Sequence, residues 1–546
     1  MKKIIAAALA ATMTLGLCTG CGGGSQTAAT SAGNSETKQE ASASQDGRTK
    51  VTVGLTNTVQ TFQPFNGGNP YYNMILGQVY QKLGQRTSLT DGTFQKVLMK
   101  DYEQVDGKTY NITLYDDIYD SNGVNLKAED VAWCLSENKA QGVGGSSWFE
   151  SADVTGDYTL TVKLISESLG AFETMCESDV IVTKESYEKS GDGMAADPVG
   201  TGPYMVTEYV TGSKAVLEEN EEFWMDKSKE AKPIDAVAHN VDIIEFNFLT
   251  ETTQMALAVE NGTVQMGLWL NESIVEDCSA VDGIVTDSLM SPQICEILFN
   301  ESSKSPCDDV NLRKAIAYCV DNQAVIDNVL YGVGSIPKAL GKEGQQGYNP
   351  EWETEYDYYP YDVDKAKEYL AASDYNGETL KIMIMSLPSF ESAALVLQAN
   401  MQAIGINCEI AEYDDVTWGK YLPASNGYTY DLTLHNLSMK GAYLMQTLAT
   451  YVDQNQYQDG CNMMGASDPT LQEIIDRCMS TDWKQEDYDE FYKYAYDNCL
   501  LYQWYANAYT VAHEEGIVIP DSARVAIKGE LLIGACEFPE NWNHFE

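Results

Sequence analysis

Pro198-Val-Gly-Thr-Gly-Pro-Tyr204 is the stretch of sequence that decides the fold, and residues 205–224, MVTEYVTGSKAVLEENEEFW, complete its pattern. Glycine adopts backbone conformations that other residues avoid, and proline fixes φ near about −65°, so this stretch predicts a stiff turn. Residues 205–209 and 214–218 are typical of strands, and Thr211-Gly212-Ser213 predicts the hairpin turn between them. A stiff turn followed by a hairpin predicts a point where the chain returns to a sheet.

The composition argues against several classes of function. A chain of 546 residues favours two or three domains, and its net charge of −47 argues against nucleic-acid binding. None of the four histidines lies near another His or a Cys at the spacing of a metal site. We therefore predict no metal site, no Ser-His-Asp triad, no cofactor and no catalysis. Paired carboxylates for glycoside hydrolysis stay open as an alternative in so acidic a chain.

The N-terminus predicts export. Residues 1–20 read as a signal peptide, because two lysines precede an apolar run that is too short to span a bilayer. Leu17-Cys-Thr-Gly-Cys21 resembles a bacterial lipoprotein signal, in which the last Cys, here Cys21, becomes the lipidated first residue. Cys18 stands where that signal usually has Leu, and simple secretion with cleavage near Gly20 is the alternative. Residues 21–48 predict a flexible tether with a reach on the order of 30 Å.

These features predict an extracytoplasmic protein that is anchored to the outer face of the bacterial cell membrane by a lipid on Cys21. The cysteines follow no regular spacing, so we expect buried small hydrophobic residues and not a disulfide framework. From residue 51 onward, strands alternate with helices, which predicts an α/β architecture. One long helix is predicted over residues 309–330.

Six motifs in the same order resemble those of one family, the large extracytoplasmic solute-binding proteins of ABC importers, in the oligopeptide/dipeptide-binding class. They lie at residues 120–131, 199–224, 256–265, 299–321, 366–370 and 397–409. Gln265 stands where the family usually has Asp. One such motif would be weak, but six in order over most of the chain are specific.

The resemblance implies a two-lobed periplasmic-binding-protein-like α/β fold with an extra inserted domain and a discontinuous N-terminal lobe. Lobe I would comprise residues 49–75, 196–290 and 501–546, the inserted domain II residues 76–195, and lobe III residues 291–500. A solute, which we expect to be a peptide, would lie between the lobes, and closure would present it to the ABC permease. We expect a monomer. The alternatives are a non-peptide solute, a secreted carbohydrate-active hydrolase and an adhesin for a protein partner.

The predicted ligand residues follow from the same resemblance. In peptide binders of the family an Asp after a strand pairs with the peptide's α-amino group, and ungapped counting from Asp431 puts Lys440 there. Two cations would repel each other in a desolvated cleft, so we expect no recognition of a free N-terminus. Lys440 would hold an anionic group, or the ligand is neutral and stacks on aromatic residues; alternatively Lys440 points to solvent. The remaining predicted ligand-binding residues are His435 (with a purely structural role as the alternative), Asn57, Thr58, Gln60, Trp418 and Trp504.

Overall fold

The computed structural model describes residues 48–66, 70–86, 93–145, 147–232, 234, 237–270, 272–422, 429–438, 443–454, 462–525, 530–540 and 542. The strands are β1 (Lys50–Leu55), β2 (Gln81–Lys82), β3 (Gly84–Gln85), β4 (Gln95–Lys96), β5 (Met99–Asp106), β6 (Thr109–Leu114), β7 (Phe149–Gly156), β8 (Thr159–Leu164), β9 (Val180–Ile181), β10 (Tyr204–Val210), β11 (Lys214–Glu219), β12 (Ile243–Phe248), β13 (Met266–Leu270), β14 (Ile284–Phe299), β15 (Gly334–Ser335), β16 (Leu380–Met385), β17 (Cys408–Tyr413), β18 (Leu432–Ser438), β19 (Leu501–Glu514), β20 (Arg524–Val525) and β21 (Glu530–Leu531).

The helices are α1 (Pro70–Leu76), α2 (Ala128–Gln141), α3 (Ala171–Ser178), α4 (Lys184–Ser190), α5 (Trp224–Lys227), α6 (Thr252–Glu260), α7 (Glu272–Ser279), α8 (Val310–Cys319), α9 (Asn322–Asn328), α10 (Trp352–Glu355), α11 (Val363–Ala372), α12 (Pro388–Ile404), α13 (Asp415–Tyr421), α14 (Leu444–Val452), α15 (Pro469–Cys478) and α16 (Gln485–Asn498). Within the residues that the structure describes, none of these helices is long and apolar enough to cross a bilayer.

One eleven-stranded mixed sheet organises the chain, in the order β10-β11-β12-β1-β13-β19-β14-β18-β16-β17, with β15 paired to β19. β1 pairs in parallel with β12 and β13, and β16 pairs in parallel with β17 and β18. Residues 51–55 are buried on both faces of the sheet, as expected for a strand between parallel neighbours. We call the part from β10 to β13 the first half and β18, β16 and β17 the second half. The predicted α/β class is confirmed.

A second sheet lies between residues 99 and 164 and is antiparallel throughout, in the order β5-β6-β8-β7. Along β6, Tyr110, Ile112 and Leu114 are buried and alternate with more exposed residues, which is the pattern of a sheet with one face toward a core. These side chains belong to the same hydrophobic core as Val51 and Val53 of β1. The smaller sheet is therefore packed onto the first half of the large one.

At the turn of residues 198–204, the glycines are required by close packing and not by a positive φ. Neither Gly200 nor Gly202 is among the glycines with positive φ. A Cβ on Gly200 would lie 2.0 Å from the carbonyl oxygen of Val79, and one on Gly202 would lie 2.5 Å from that of Gln78. Gly202 N–H donates to the Val79 carbonyl at 2.8 Å. The predicted return to the sheet is confirmed, since β10 begins at Tyr204.

The single helix predicted over 309–330 is wrong, because the structure has two helices there. α8 ends at Cys319, and α9 begins directly after Asp321. The Asp321 side chain accepts a hydrogen bond from Ala324 N–H, and its own N–H donates to Asn400 Oδ1 at 3.0 Å. An Asp in this capping position stabilises the start of a new helix. This effect outweighs the helical spacing of apolar residues, which continues through residue 321.

The cysteines that the structure describes behave as predicted from their apolar surroundings. All are free and buried, at positions 134, 176, 278, 295, 307, 319, 408, 478, 499 and 536. Burial raises the pKa of these thiols, for example that of Cys295 to about 12. They therefore act as small hydrophobic side chains.

Candidate functional site

The two halves of the large sheet present the carboxyl ends of their parallel strands to each other. β13 and β14 both run antiparallel to β19, so β14 leaves the first half at the end where β1, β12 and β13 finish. β14 also runs antiparallel to β18, so it enters the second half beside the carboxyl ends of β18, β16 and β17. Ligands of open α/β sheets bind outside the carboxyl ends of strands. The topology therefore places a crevice between these two edges.

β14 and β19 connect the halves, and their pairing is interrupted between them. The pairs Met290–Ala508 and Ile294–Ala506 enclose three residues of β14 but one of β19. Pro292 lies in this interval, and its missing N–H cannot contribute to the ladder. A break of this kind in the two connecting strands provides a hinge about which the halves can move.

At the first edge, the chain after β1 carries three of the predicted ligand residues. Asn57 and Gln60 are exposed, and Thr58 is half-buried. Asn57 Oδ1 accepts from Thr58 N–H, and Gln60 Nε2 donates to Thr58 Oγ1, both at 2.7 Å. The structure therefore places these side chains together beyond the end of β1. Their contact with a ligand stays a prediction.

Trp269, near the end of β13, was not identified from the sequence. It has a φ of 53°, and its ring stacks on Tyr509 of β19 with centroids 4.9 Å apart and an interplanar angle of 8°. Its Nε1–H is buried and, in the described part of the chain, has no hydrogen-bond partner. The apolar run Met266–Leu270 indicates only a buried strand, so no sequence signal separates this residue from core. Strain and an unpaired donor are typical of binding sites.

At the second edge, the rings of Trp418 and His435, two of the predicted ligand-binding residues, lie against each other. Trp418, on α13, is 8% exposed, and its ring stacks on that of His435 with centroids 5.4 Å apart. Trp418 Nε1 donates to Thr433 Oγ1 at 3.3 Å. His435 is half-buried in the middle of β18, which spans Leu432–Ser438. These two rings form an aromatic surface beside the crevice, and their contact with a ligand stays a prediction.

A buried polar network lies beneath His435. Its Nδ1 is 2.9 Å from the Tyr451 hydroxyl of α14. On β14, directly opposite His435, Glu296 is fully buried, and its Oε1 accepts from Gln503 Nε2 at 2.8 Å. Burial raises the pKa of Glu296 to about 7, while hydrogen bonding from Tyr451 and Gln503 lowers it. The apolar surroundings of residue 296 in the sequence gave no sign of this network.

The carboxylates nearest the second edge already have partners. Asp414, after β17, accepts from Thr417 N–H and Thr417 Oγ1 and so caps α13. These hydrogen bonds lower the pKa of Asp414. Glu412 accepts from the Ser386 hydroxyl. Both side chains are exposed, and these contacts use only part of the acceptor capacity of each carboxylate.

The prediction that Trp504 lines the crevice is wrong. Its side chain is 0% exposed and packs in the core with Cys295 and Tyr505. Gln503 pairs with Glu296 and Tyr505 with Cys295, so Trp504 is the extra residue of a β-bulge. A bulge changes the direction of a side chain relative to simple alternation, which a sequence pattern does not reveal.

A cavity of about 320 Å³ adjoins the hinge. Ile294 and Ala506 supply part of its apolar wall, and Lys342, Asp521 and Arg524 are among its polar lining residues. Burial lowers the pKa of Lys342 to about 8, against the charge of Asp521, which raises it. Arg524 Nε is buried without a hydrogen-bond partner in the described residues. The cavity thus offers an apolar space whose wall carries both basic and acidic side chains, the acids being Glu343, Glu353 and Asp521.

Two predicted residues, Lys440 and the lipidation site Cys21, lie outside the residues that the structure describes. Asp431, the residue from which the count to Lys440 starts, is held in place by two hydrogen bonds. Asp431 Oδ1 accepts from Ser305 Oγ at 2.7 Å, and Asp431 Oδ2 accepts from Lys381 N–H at 2.8 Å. The assignment of Lys440 to the crevice stays a prediction.

Comparison with known proteins gives a family match. The family model described as bacterial extracellular solute-binding proteins, family 5, middle, matches residues 93–459, which is more than half of the chain. The nickel-binding periplasmic protein of Escherichia coli (strain K12) is 25% identical over 403 residues, covering 66% of this chain and 72% of that protein. The oligopeptide-binding protein OppA of Bacillus subtilis (strain 168) is 24% identical over 435 residues, covering 71% and 74%.

Among solved structures, the ABC transporter substrate-binding protein CtaP of Listeria monocytogenes superimposes with a TM-score of 0.72 at 18% identity. The match covers 90% of this chain and 99% of that chain. At this identity the likeness concerns the fold alone, and it confirms the predicted two-lobed architecture.

Proposed function

Because the chain belongs to family 5 of the bacterial extracellular solute-binding proteins, which serve ABC importers, we propose that it captures a peptide in the crevice between its two carboxyl edges. The observation that carries this proposal is the meeting of two such edges across a hinge. Polar residues line the first edge, and the stacked Trp418 and His435 line the second. Closure about the hinge would enclose the peptide and present it to the permease.

The ligand class follows from which groups the crevice offers. The relatives differ by name in what they bind, nickel in one and oligopeptides in another, so the family does not fix the solute. Lys440 stands where an amine-pairing Asp is usual in the peptide binders that the sequence resembles. We therefore infer that a free α-amino group is not the feature recognised. Backbone amides and aromatic or apolar side chains of the peptide would supply the contacts.

Calorimetric titration with one tripeptide in its free and N-acetylated forms tests this inference. We expect the acetylated form to bind at least as tightly as the free one. Lys440→Asp should favour the free form by about tenfold, and Lys440→Gln is the matched control that removes charge only. Strong binding by the wild type that requires the free amine would contradict the proposal.

A non-peptide, anionic solute is the second candidate, and the cavity beside the hinge favours it. Arg524 on its wall, whose buried Nε has no hydrogen-bond partner in the described residues, could receive a carboxylate, while Ile294 and Ala506 contact an apolar body. Binding of small organic carboxylates that Arg524→Gln weakens would support this candidate over a peptide. The comparisons give no support to the hydrolase alternative.

The domain limits and the anchor belong to the same proposal. Residues 49–75, 196–290 and 501–546 would form lobe I, residues 76–195 the inserted domain and residues 291–500 lobe III of a monomer. A lipid on Cys21 would hold the protein at the outer face of the cell membrane. Metabolic labelling with an alkyne-tagged fatty acid tests the anchor: label should enter the wild type and be absent from Cys21→Ser. Equal labelling of both proteins would exclude lipidation at this residue.

A further inference from the structure

A contact outside the large sheet joins the two sides of the hinge. α3 belongs to the first side, because Phe172 stacks on Tyr110 of β6 with ring centroids 4.0 Å apart and lies in the same hydrophobic core as β1. α14 belongs to the second side, because Leu444 and Leu448 share a core with Leu298 of β14, which pairs with β18. The two helices therefore follow different halves when the hinge moves.

Gly170, which caps the N-terminus of α3, is the centre of this contact. Its φ is 72°, and a Cβ built on it would lie 2.4 Å from Cδ2 and 2.6 Å from Cε2 of the Tyr443 ring. Such distances are far below van der Waals contact, so any other residue at position 170 would force the ring away. Two independent requirements, a left-handed backbone and space for Tyr443, thus select glycine here.

A hydrogen bond extends the contact. Gln446 follows Tyr443 by three residues, and its Nε2 donates to Thr174 Oγ1 of α3 at 3.1 Å. Gln446 Oε1 is buried and has no hydrogen-bond partner among the residues that the structure describes. The bond to Thr174 therefore fixes this amide across the two helices. We call Gly170, Thr174, Tyr443 and Gln446 together the α3–α14 contact.

Tyr443 is fixed to the second side of the hinge and does not follow α3. Its backbone forms a parallel β-bridge with Gln346, and Leu444 N–H donates to the Gln346 carbonyl oxygen at 3.0 Å. Its ring also makes an edge contact with the ring of Trp483, with centroids 6.5 Å apart. Because Gly170 is fixed to α3 in turn, movement of the halves about the hinge separates the Tyr443 ring from Gly170.

We propose that the α3–α14 contact controls the closure of the solute-free protein, by stabilising the arrangement in which the two halves lie together. The two helices belong to different cores, so their contact stabilises neither half by itself. The contact exists only while the halves are together, and an interaction made in one of two states shifts the equilibrium toward that state. This inference rests on the movement about the hinge that the proposed function includes.

The contact also sets the apparent affinity for a solute. A solute enclosed between the two edges binds the closed form, so its apparent Kd equals the intrinsic Kd divided by the closed fraction. Loss of the contact therefore weakens the capture of every enclosed solute by the same factor, whatever its chemistry. Gly170 and Tyr443 act here as positioning residues of the two halves and not as ligands of the solute.

Small-angle X-ray scattering of the solute-free protein tests the proposal, after native mass spectrometry verifies that no solute remains bound. Gly170→Ala should increase the radius of gyration, because the new Cβ displaces the Tyr443 ring. Gly191→Ala, at the end of α4, is the matched control. Its φ of 73° gives the same backbone strain, and among the described residues no atom lies within 4 Å of the added Cβ. This control should scatter like the wild type.

Substitutions on the second side of the hinge complete the test. Tyr443→Ala should also increase the radius of gyration, and adding Gly170→Ala to it should give no further increase, because the ring that the Cβ meets is gone. Gln446→Leu removes one hydrogen bond, so the ratio of closed to open protein fitted to the scattering should fall about fivefold. Melting curves of each variant verify that it is folded before its scattering is interpreted.

Three outcomes would overturn the proposal: the wild-type radius of gyration in both Gly170→Ala and Tyr443→Ala, an equal increase in Gly191→Ala, or a further increase when Gly170→Ala is added to Tyr443→Ala. Because no solute takes part, such a result leaves solute capture untouched. A failure of solute capture in the peptide titration likewise leaves the scattering result intact.

Discussion

Replacing Gly200 by alanine perturbs the turn that returns the chain to the large sheet. The new Cβ would lie 2.0 Å from the Val79 carbonyl oxygen, where ordinary contact begins at 3.4 Å, so the two segments must separate by roughly 1.4 Å. Overpacking of this kind costs about 1–3 kcal/mol. Separation also weakens the hydrogen bond from Gly202 N–H to the Val79 carbonyl oxygen, which costs about 1 kcal/mol of stability. The total is about 2–4 kcal/mol.

Thermal unfolding followed by circular dichroism measures this effect. For a chain of this size, about 1 °C of melting temperature is lost per kcal/mol, so Gly200→Ala should melt about 2–4 °C below the wild type. Gly419→Ala is the matched control, because the residue is inside α13 and, among the described residues outside that helix's own backbone, no atom lies within 4 Å of the added Cβ. Alanine favours a helix, so this variant should melt at or slightly above the wild-type temperature. Equal melting temperatures for the two variants would refute the close-contact explanation.

Three further predictions concern the crevice, the buried carboxyls and the thiols. Trp418→Ala should weaken peptide binding about tenfold, because the stack on His435 is lost. The core variant Trp504→Phe should leave the peptide affinity within about twofold of the wild type. Calorimetry that shows equal losses of affinity for the two variants would contradict this prediction. Burial raises the pKa values of Glu296 and Glu301 from an ordinary 4.5 to about 7, so their neutral forms stabilise the fold at low pH and this contribution is lost as pH rises through about 7. When unfolding in urea is measured from about pH 4.5 to 8, the free energy of unfolding should therefore fall less in the double variant Glu296→Gln, Glu301→Gln than in the wild type. Parallel decreases in the two proteins would show that these carboxyls are not responsible. Iodoacetamide at about pH 8 should leave the ten described cysteines unlabelled in the native protein and label them in urea; native labelling of Cys295 would contradict its burial.

The sequence predicts elements well where local signals agree. The turn at 198–204, the hairpin closed by Gly212 and the strand at Val51 follow from residue type and alternation, and all are present. The break at Asp321 was not predicted, because the apolar period continues through it and a capping hydrogen bond decides the local structure. Gly200 was identified for its backbone freedom, but the structure requires glycine there because of the close contact with Val79 and not because of a positive φ.

The candidate site is harder to predict because its residues come from distant parts of the chain. Asn57, His435 and Trp418 were predicted from their expected positions in the fold, and the structure places Asn57 after β1, Trp418 in α13 and His435 inside β18. Their contact with a ligand stays a prediction. Trp269 and Glu296 lie inside apolar runs that read as buried strand, so only their contacts distinguish them. Trp504 was misplaced since a bulge in β19 redirects it into the core.

Hydrogen–deuterium exchange with and without a bound solute tests the central claim most directly. The solute is the strongest stabiliser from a thermal-shift screen of free and N-acetylated peptides, small organic carboxylates, sugars and metal chelates, since a bound ligand raises stability as RT ln(1 + [L]/Kd). Our account predicts new protection on both sides of the hinge, at residues 56–60 and at residues 413–418 and 432–438. Protection confined to one half of the large sheet, or to residues 99–164, would contradict capture of the solute between the two edges.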